Sequence, residues 1–358
     1  MRYKVMNTYF ETIRKIYNKL EDQESRKIYV NRLLYSITED EKYMDEIVRQ
    51  YVFKDGFNEK GVIKYLLAGI ENVSDMSSIV VYGCGEMGAK IYHELGEKVT
   101  CFCDKNRDKQ REGFCGKRVI SLEELEEKRN EYRVIIGSID YYFDMYRTLK
   151  ERGIQLAVEN SELVQKWLDV VERQYFEKDI ISYGKDEVFI DGGCLNYASA
   201  KQFLKECSSV KKIYAFEPDS ESARRCEEEA RKVANHNYKI IEKGLYSENT
   251  KLHFQSMGNG CSGITETGEC IVKVCTIDGE IAEPVTFIKM DIEGAELEAL
   301  RGAEKTIKRY HPKLAICVYH KPEDIIEIPQ YILEINPDYK LYLRHYSDNV
   351  GETVLYAV

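Results

Sequence analysis

Proton-handling side chains crowd two short apolar runs in the last quarter of the chain. The first run is Thr286-Phe287-Ile288-Lys289-Met290-Asp291-Ile292-Glu293-Gly294-Ala295-Glu296, and His320 closes the second, Ala315-Ile316-Cys317-Val318-Tyr319. Period-two alternation places Phe287, Lys289 and Asp291 on one face of a strand that should be central and covered on both sides. A buried ammonium is costly unless a carboxylate meets it. Lys289 beside Asp291 or Glu293 therefore reads in two ways: an internal ion pair, or a desolvated base with its orienting acid. His320 falls on the same edge, as a base or a substrate ligand. No metal is assigned; a divalent cation on Asp291, Glu293 and His320 is the alternative, a donor set that suits manganese better than magnesium.

Two other segments read as strand, glycine turn and helix, the way α/β folds offer free backbone N–H groups to a nucleotide. In Val188-Phe189-Ile190-Asp191-Gly192-Gly193-Cys194-Leu195-Asn196-Tyr197 the turn is followed, 26 residues after Asp191, by Glu217 in Ala215-Phe216-Glu217-Pro218-Asp219. An acid ending the second strand is placed to accept hydrogen bonds from both hydroxyls of a ribose. The earlier segment, Gly83-Cys84-Gly85-Glu86-Met87-Gly88, is a full G-x-G-x-x-G with Asp104 lying 21 residues after Gly83. Alone it reads as a dinucleotide fingerprint. Its unit holds only about half of a dinucleotide domain, so a redox site, a sugar-nucleotide site and a structural or docking role all stay open.

The elements that must position these residues fall into four stretches. Residues 1–75 form a helical region, with Tyr9, Ile13, Ile16, Tyr17 and Leu20, then Met44, Ile47, Val48 and Tyr51, at helical spacing. Residues 76–160 alternate short β-rich and helical runs as a small Rossmann-like domain, with Ser121 to Glu124 as a capping box. Residues 161–182, containing Trp167, form a linker helix, and residues 183–358 form the main α/β domain. Within it the loop Gly258-Asn259-Gly260-Cys261-Ser262-Gly263 is either a mobile cover for an acceptor or a hairpin connection.

Composition narrows the partners. With 52 basic and 62 acidic side chains the net charge is −10, which disfavours phosphate backbones and anionic lipid. No apolar run approaches the roughly 18 residues of a membrane span. Eleven cysteines without paired metal spacing read as reduced, mostly buried thiols, so a cytoplasmic location is expected.

From Val188 to Val358 the chain resembles the FkbM family of S-adenosylmethionine-dependent methyltransferases. The motifs are the turn at Asp191 and Gly193, Phe216-Glu217-Pro218, the Lys289 to Glu296 run, and the tail segments Val318 to Asp324 and Leu341 to Ser347. The resemblance implies a class I methyltransferase fold with a seven-stranded sheet and an antiparallel last strand. It implies S-adenosylmethionine as cofactor and methyl transfer to an oxygen of a sugar, glycan or glycan precursor. Asp191, Gly192, Gly193, Glu217, Pro218 and Gly244 would hold the cofactor; Asp291 would lie by the sulfonium or the acceptor, with Lys289, Glu293 and His320 as candidate bases. Tyr197 stands where the family's turn often carries a further glycine. The Gly83–Gly88 unit resembles small Rossmann-like domains attached to bacterial glycan-modifying enzymes. Partners expected are a small-molecule or glycan acceptor, a sugar nucleotide at the middle domain and a second copy of the chain, with no nucleic acid. The competing readings are an NAD(P)-linked oxidoreductase using Gly83, Gly85, Gly88 and Asp104, and a nonenzymatic nucleotide sensor.

Overall fold

The structure is a computed structural model that describes residues 2–52, 63, 67, 70, 78–138, 141–157, 169–233, 237–255, 263–264, 270–347 and 350–358. Trp167 and the loop residues 258–262 lie outside them. The chain divides into two compact units, one made of Met1–Gly56 with Asp169–Val358 and the other of Phe57–Leu168. Among the described residues, no helix is long and apolar enough to cross a membrane. The chain opens with α1 (Arg2–Lys19), α2 (Gln23–Thr38) and α3 (Lys42–Ile47), which belong to the same unit as the C-terminal residues.

The second unit is a parallel four-stranded sheet of order β3-β2-β1-β4, made of β1 (Ile79–Tyr82), β2 (Val99–Cys103), β3 (Val119–Ile120) and β4 (Arg133–Ile136). Helix α4 (Glu86–Leu95) follows β1, then come α5 (Arg107–Glu112), α6 (Leu122–Glu127) and α7 (Tyr142–Glu151). Every residue of β1 is buried, as an apolar run covered on both faces demands. Ser121 caps α6 by accepting from the Glu124 N–H at 3.2 Å, as its spacing predicts.

The other unit is built on seven strands: β5 (Glu187–Gly192), β6 (Val210–Phe216), β7 (Tyr238–Ile241), β12 (Phe287–Met290), β13 (Lys313–Cys317), β14 (Leu341–His345) and β15 (Thr353–Ala357). Their order is β14-β15-β13-β12-β5-β6-β7, and only β15 runs antiparallel, pairing with β13 and β14. This is the mixed sheet that the resemblance implies. Helices α8 (Ala198–Glu206) and α9 (Ser220–Lys232) connect β5, β6 and β7; α10 (Ile277–Glu280), α11 (Glu296–Arg301), α12 (Glu304–Tyr310) and α13 (Asp324–Ile335) complete it. Between β7 and β12 the chain leaves the main sheet for a separate one of order β10-β9-β11-β8, from β8 (Gly244–Leu245), β9 (Thr250–Gln255), β10 (Gly263–Ile264) and β11 (Cys270–Cys275). Because β6 and β13 lie on opposite sides of the β5-β12 pair, the connection reverses direction there, which opens a crevice beyond the carboxyl ends of those two strands.

Alternation sorts the side chains onto two faces. Val188, Ile190, Ile288 and Met290 face one core with Leu314 and Ile316. Phe189 and Phe287 face the other, their ring centroids 5.1 Å apart and packed with Phe176 and Phe203. The N-terminal helices bury Ile16, Leu20, Ile28, Tyr29, Met44 and Ile47 against the first core. Leu20 bridges to Leu341, and the Glu21 N–H donates to the Leu341 carbonyl at 3.0 Å, so the head covers the outer edge of β14. The fully buried Ser25 hydroxyl accepts the Leu343 N–H at 2.9 Å, and Arg344 pairs with Asp22 at 2.7 Å. The head, expected as a region of its own, packs here because its apolar stripes have no core other than the sheet. Ile28→Ala should therefore lower the stability of this unit by about 2–5 kcal/mol, the cost of emptying a buried aliphatic site. Urea unfolding followed by circular dichroism checks this, and an unchanged midpoint contradicts the docking.

Candidate active site

The turn after β5 is shaped by backbone crowding. Gly193 has φ +75°, and a Cβ there would strike the Asp291 carbonyl oxygen, so glycine is required both for the left-handed conformation and for the close approach of β5 to the end of β12. The N–H groups of Gly193 and Cys194 donate to the Phe216 carbonyl at 3.1 and 3.2 Å. Tyr197 has φ +64°, in the region a glycine adopts freely, and its fully buried ring packs near Tyr238. The turn thus keeps a glycine-like backbone at Tyr197 and anchors it with an aromatic side chain.

Glu217 follows β6 and is 6% exposed. One carboxylate oxygen accepts the Leu195 N–H at 3.0 Å and the other accepts the Asp219 N–H at 3.0 Å. Burial pushes its pKa up, partly countered by these two N–H groups. Each oxygen keeps a further lone pair for a ligand hydroxyl. A cleft of about 710 Å³, open to solvent, is lined by Gly193, Leu195, Glu217, Pro218, Gly244 and Asp291, with Asp219, Ile292 and Glu293 among its other walls. Most of the residues expected at a cofactor site thus meet in one place. Asp191 and Gly192 do not line it; Asp191 is fully buried beneath the turn.

Asp191 has a different task, set by Lys289. In register, Lys289 sits beside Asp191 across the β5-β12 ladder. The ammonium, 2% exposed, lies 3.0 Å from Asp191 Oδ1 and donates to the carbonyls of Gly192 at 3.1 Å and Gly193 at 3.0 Å. Its charge also rests 5.1 Å from the centroid of the Tyr175 ring. Burial works to lower the lysine pKa, but the Asp191 and Asp291 carboxylates outweigh it and hold the pKa above the ordinary value. Lys289 is therefore a permanent ammonium at neutral pH. Of the two readings of this residue, the ion pair is the one the geometry supports, and proton abstraction by Lys289 is corrected.

Asp291 ends the same run and accepts from Tyr175 Oη at 2.7 Å and Tyr319 Oη at 3.1 Å. Burial raises its pKa, yet the cations at Lys289 and His320 leave it lowered. Glu293 occupies a left-handed turn at φ +56°, a conformation that costs a non-glycine residue about 1–3 kcal/mol and that turns its carboxylate into the cleft. Burial, and the neighbouring Asp291 and Glu296 carboxylates against the opposing charge of His320, push its pKa up to about 7.

His320 is enclosed by acids: Nε2 lies 3.5 Å from both Asp291 Oδ1 and Glu293 Oε2, and Nδ1 lies 3.0 Å from Glu296 Oε1. Burial opposes its charge, but Glu296 and the other two carboxylates raise its pKa to about 9. In this arrangement it is an imidazolium and not a free base, which corrects that expectation as well. Tyr175, Glu296, Tyr319 and Glu352 complete the surroundings, Tyr319 reaching Glu352 at 3.4 Å. Of these, sequence reasoning could have singled out Glu296 from its position within the Lys289 to Glu296 run; Tyr175 and Glu352 are distant in sequence and carry no motif.

In the other unit, Gly83 has φ +114° and Gly88 packs directly onto the Gly83 carbonyl oxygen, so these two glycines serve strand–helix contact. Gly85 has open space around it. Asp104 accepts the Cys84 N–H at 2.8 Å on one oxygen and the Asn106 N–H at 2.9 Å on the other, and so closes the turn after β1 from within.

A strand reversal, a glycine turn and a buried acid ending the neighbouring strand together are the arrangement at which α/β folds accept nucleosides. Residues 191–341 match the model of the methyltransferase FkbM domain. Residues 75–157 match the model described as C2185-like, N-terminal. No curated protein matches the chain. Among solved structures, the methyltransferase FkbM of Methylobacillus flagellatus is 19% identical over 91% of this chain and 100% of its own, with a TM-score of 0.48. An rRNA methylase of Streptococcus thermophilus is 16% identical over 53% of this chain and 90% of its own, TM-score 0.33. Fibrillarin of Aeropyrum pernix, with bound S-adenosyl-L-methionine, is 11% identical over 54% of this chain and 76% of its own, TM-score 0.33.

Replacing Lys289 by methionine strands Asp191 as an unpaired buried charge and should cost about 3–5 kcal/mol. Adding Asp191→Leu to Lys289→Met should recover much of that loss, because no buried charge then lacks its partner. Denaturant unfolding of the single and double variants measures this coupling; losses that simply add would contradict it.

Proposed function

We propose that the chain is an S-adenosylmethionine-dependent O-methyltransferase that acts on a hydroxyl of a sugar, glycan or glycan precursor. The observation that carries the reading is Glu217, a buried carboxylate on the cleft wall whose two oxygens are oriented by the Leu195 and Asp219 N–H groups. So held, it suits the two hydroxyls of a ribose, with Gly244 and Pro218 beside it for the base and the Gly193 turn for the methionine end. The family match at residues 191–341 supports the same chemistry.

Among the described residues, the ionisable ones lining the cleft are Glu217, Asp219, Asp291 and Glu293. All are acids, a lining that favours a sulfonium cation over its neutral thioether product. It also favours a neutral polyol over a phosphate or carboxylate as acceptor, and offers its hydroxyls hydrogen-bond acceptors. In the transfer the acceptor oxygen forms a bond to the methyl carbon as the carbon–sulfur bond breaks, and the sulfur leaves with that electron pair. The hydroxyl proton passes to Glu293, whose carboxylate faces the cleft and has its ionic neighbour, His320, 3.5 Å away. Holding donor and acceptor in line supplies most of the acceleration. Asp291, which accepts from Tyr175 and Tyr319, would face the positive sulfur or orient the acceptor.

Isothermal calorimetry with S-adenosylhomocysteine tests the reading. The wild-type chain should bind it, and Glu217→Ala should bind about ten- to a hundredfold more weakly, the value of one charge-assisted hydrogen-bond set. Uptake of NADH in place of S-adenosylhomocysteine, or an alanine variant with unchanged affinity, would overturn it.

A further inference from the structure

Asp291, Glu296 and His320 come from three different elements: the end of β12, the start of α11 and the segment after β13. Each offers one ligand atom, and these atoms all lie within 4.8 Å of one another. That span is what ligands at about 2.0–2.3 Å from one ion would occupy. The cluster stands out by what its members lack. Glu296 is completely buried, and while Oε1 accepts the Ile292 N–H at 2.8 Å, Oε2 has no hydrogen-bond partner among the described residues. The His320 side chain is 9% exposed, and neither ring nitrogen makes a hydrogen bond of good geometry despite the carboxylates around it. A buried carboxylate oxygen and a buried imidazole left unsatisfied together are the mark of a missing water or ion.

We propose that Asp291, Glu296 and His320 bind a divalent first-row transition metal at the inner end of the cleft. Only the neutral imidazole ligates, so the ion displaces the His320 proton to solvent on binding; two carboxylates and one imidazole then leave the remaining coordination positions open to water or substrate, a set that suits manganese or iron better than magnesium or calcium. Asp291 lies on the cleft wall, so an ion held there reaches the acceptor end of the cleft. Its role, though not the site itself, rests on the methyl-transfer reading: it would hold the acceptor oxygen and make its hydroxyl more acidic, with Glu293 beside it. Glu296 replaces Glu293 in the ligand set that the sequence suggests.

The test uses the full chain, stripped of metal with chelator and titrated with Mn²⁺ and Mg²⁺ by calorimetry and by the loss of the free Mn²⁺ paramagnetic resonance signal. One Mn²⁺ per chain is expected, held more tightly than Mg²⁺ and at least tenfold more weakly by Glu296→Gln and by His320→Ala. The glutamine retains an acceptor for the Ile292 N–H, so this variant keeps its fold, which circular dichroism verifies. No stoichiometric Mn²⁺ on the wild-type chain, or equal affinity in both variants, would overturn the site and leave an adventitious ion only. S-adenosylhomocysteine uptake, measured on the same samples, separates the two proposals. Its retention without metal binding sinks the ion site alone, and its absence with metal binding intact sinks the methyl-transfer reading alone.

Discussion

One buried ammonium organises the cleft end of the seven-stranded sheet. Lys289 is surrounded by Asp191 and by the carbonyls of Gly192 and Gly193, and removing any of these leaves a buried charge or dipole without a partner. The glycine turn and the end of β12 therefore cannot shift independently. Gly193 packs against the Asp291 carbonyl with no room for a side chain, and the Asp291 N–H donates to the Gly192 carbonyl at 3.1 Å. The Gly193 and Asp291 walls of the cleft are fixed against each other by the same few atoms. A lysine here does more than neutralise: its three hydrogens are directed where two carbonyls and a carboxylate converge.

Outward from this knot the charges are graded. Beside the lysine, Asp291 is an anion held by two phenols. Farther out, Glu293 stands in a strained turn with its pKa near neutrality, and His320 is charged because acids flank it on both sides. Burial alone would have neutralised every one of these groups; opposite charges decide which remain ionised. Glu352, raised to about 7 by burial and by Asp291, and Asp324, raised to about 7 by burial and by Glu296, extend the acid surplus around a single imidazole. Such a surplus is the electrostatic ground shared by the two proposed cations, the sulfonium and the metal.

Much of this was legible in the sequence because it is local. The strand–turn–helix segments and the acid closing β6 follow from period-two runs punctuated by glycine and proline, whereas the antiparallel last strand was implied by the family resemblance. The crowding of Lys289, Asp291 and Glu293 was visible, but its meaning was not. Whether a buried lysine is a base or a brace depends on the register of β12 against β5, which puts Asp191 beside it, and single-strand patterning carries no register. Tyr175 and Glu352 were hidden for a related reason: tertiary packing brings them to Asp291 from well over 50 residues away in either direction. The helical head showed its periodicity but not its destination, since an amphipathic stripe records that it must be covered and not by what.

The account is tested most directly by hydrogen exchange on the intact chain with and without S-adenosylhomocysteine. It predicts slower exchange in peptides spanning Asp191 to Tyr197, Phe216 to Asp219 and Gly244 to Tyr246, with no change across Gly83 to Asp104. Protection confined to the Gly83 turn, or none anywhere, would contradict it.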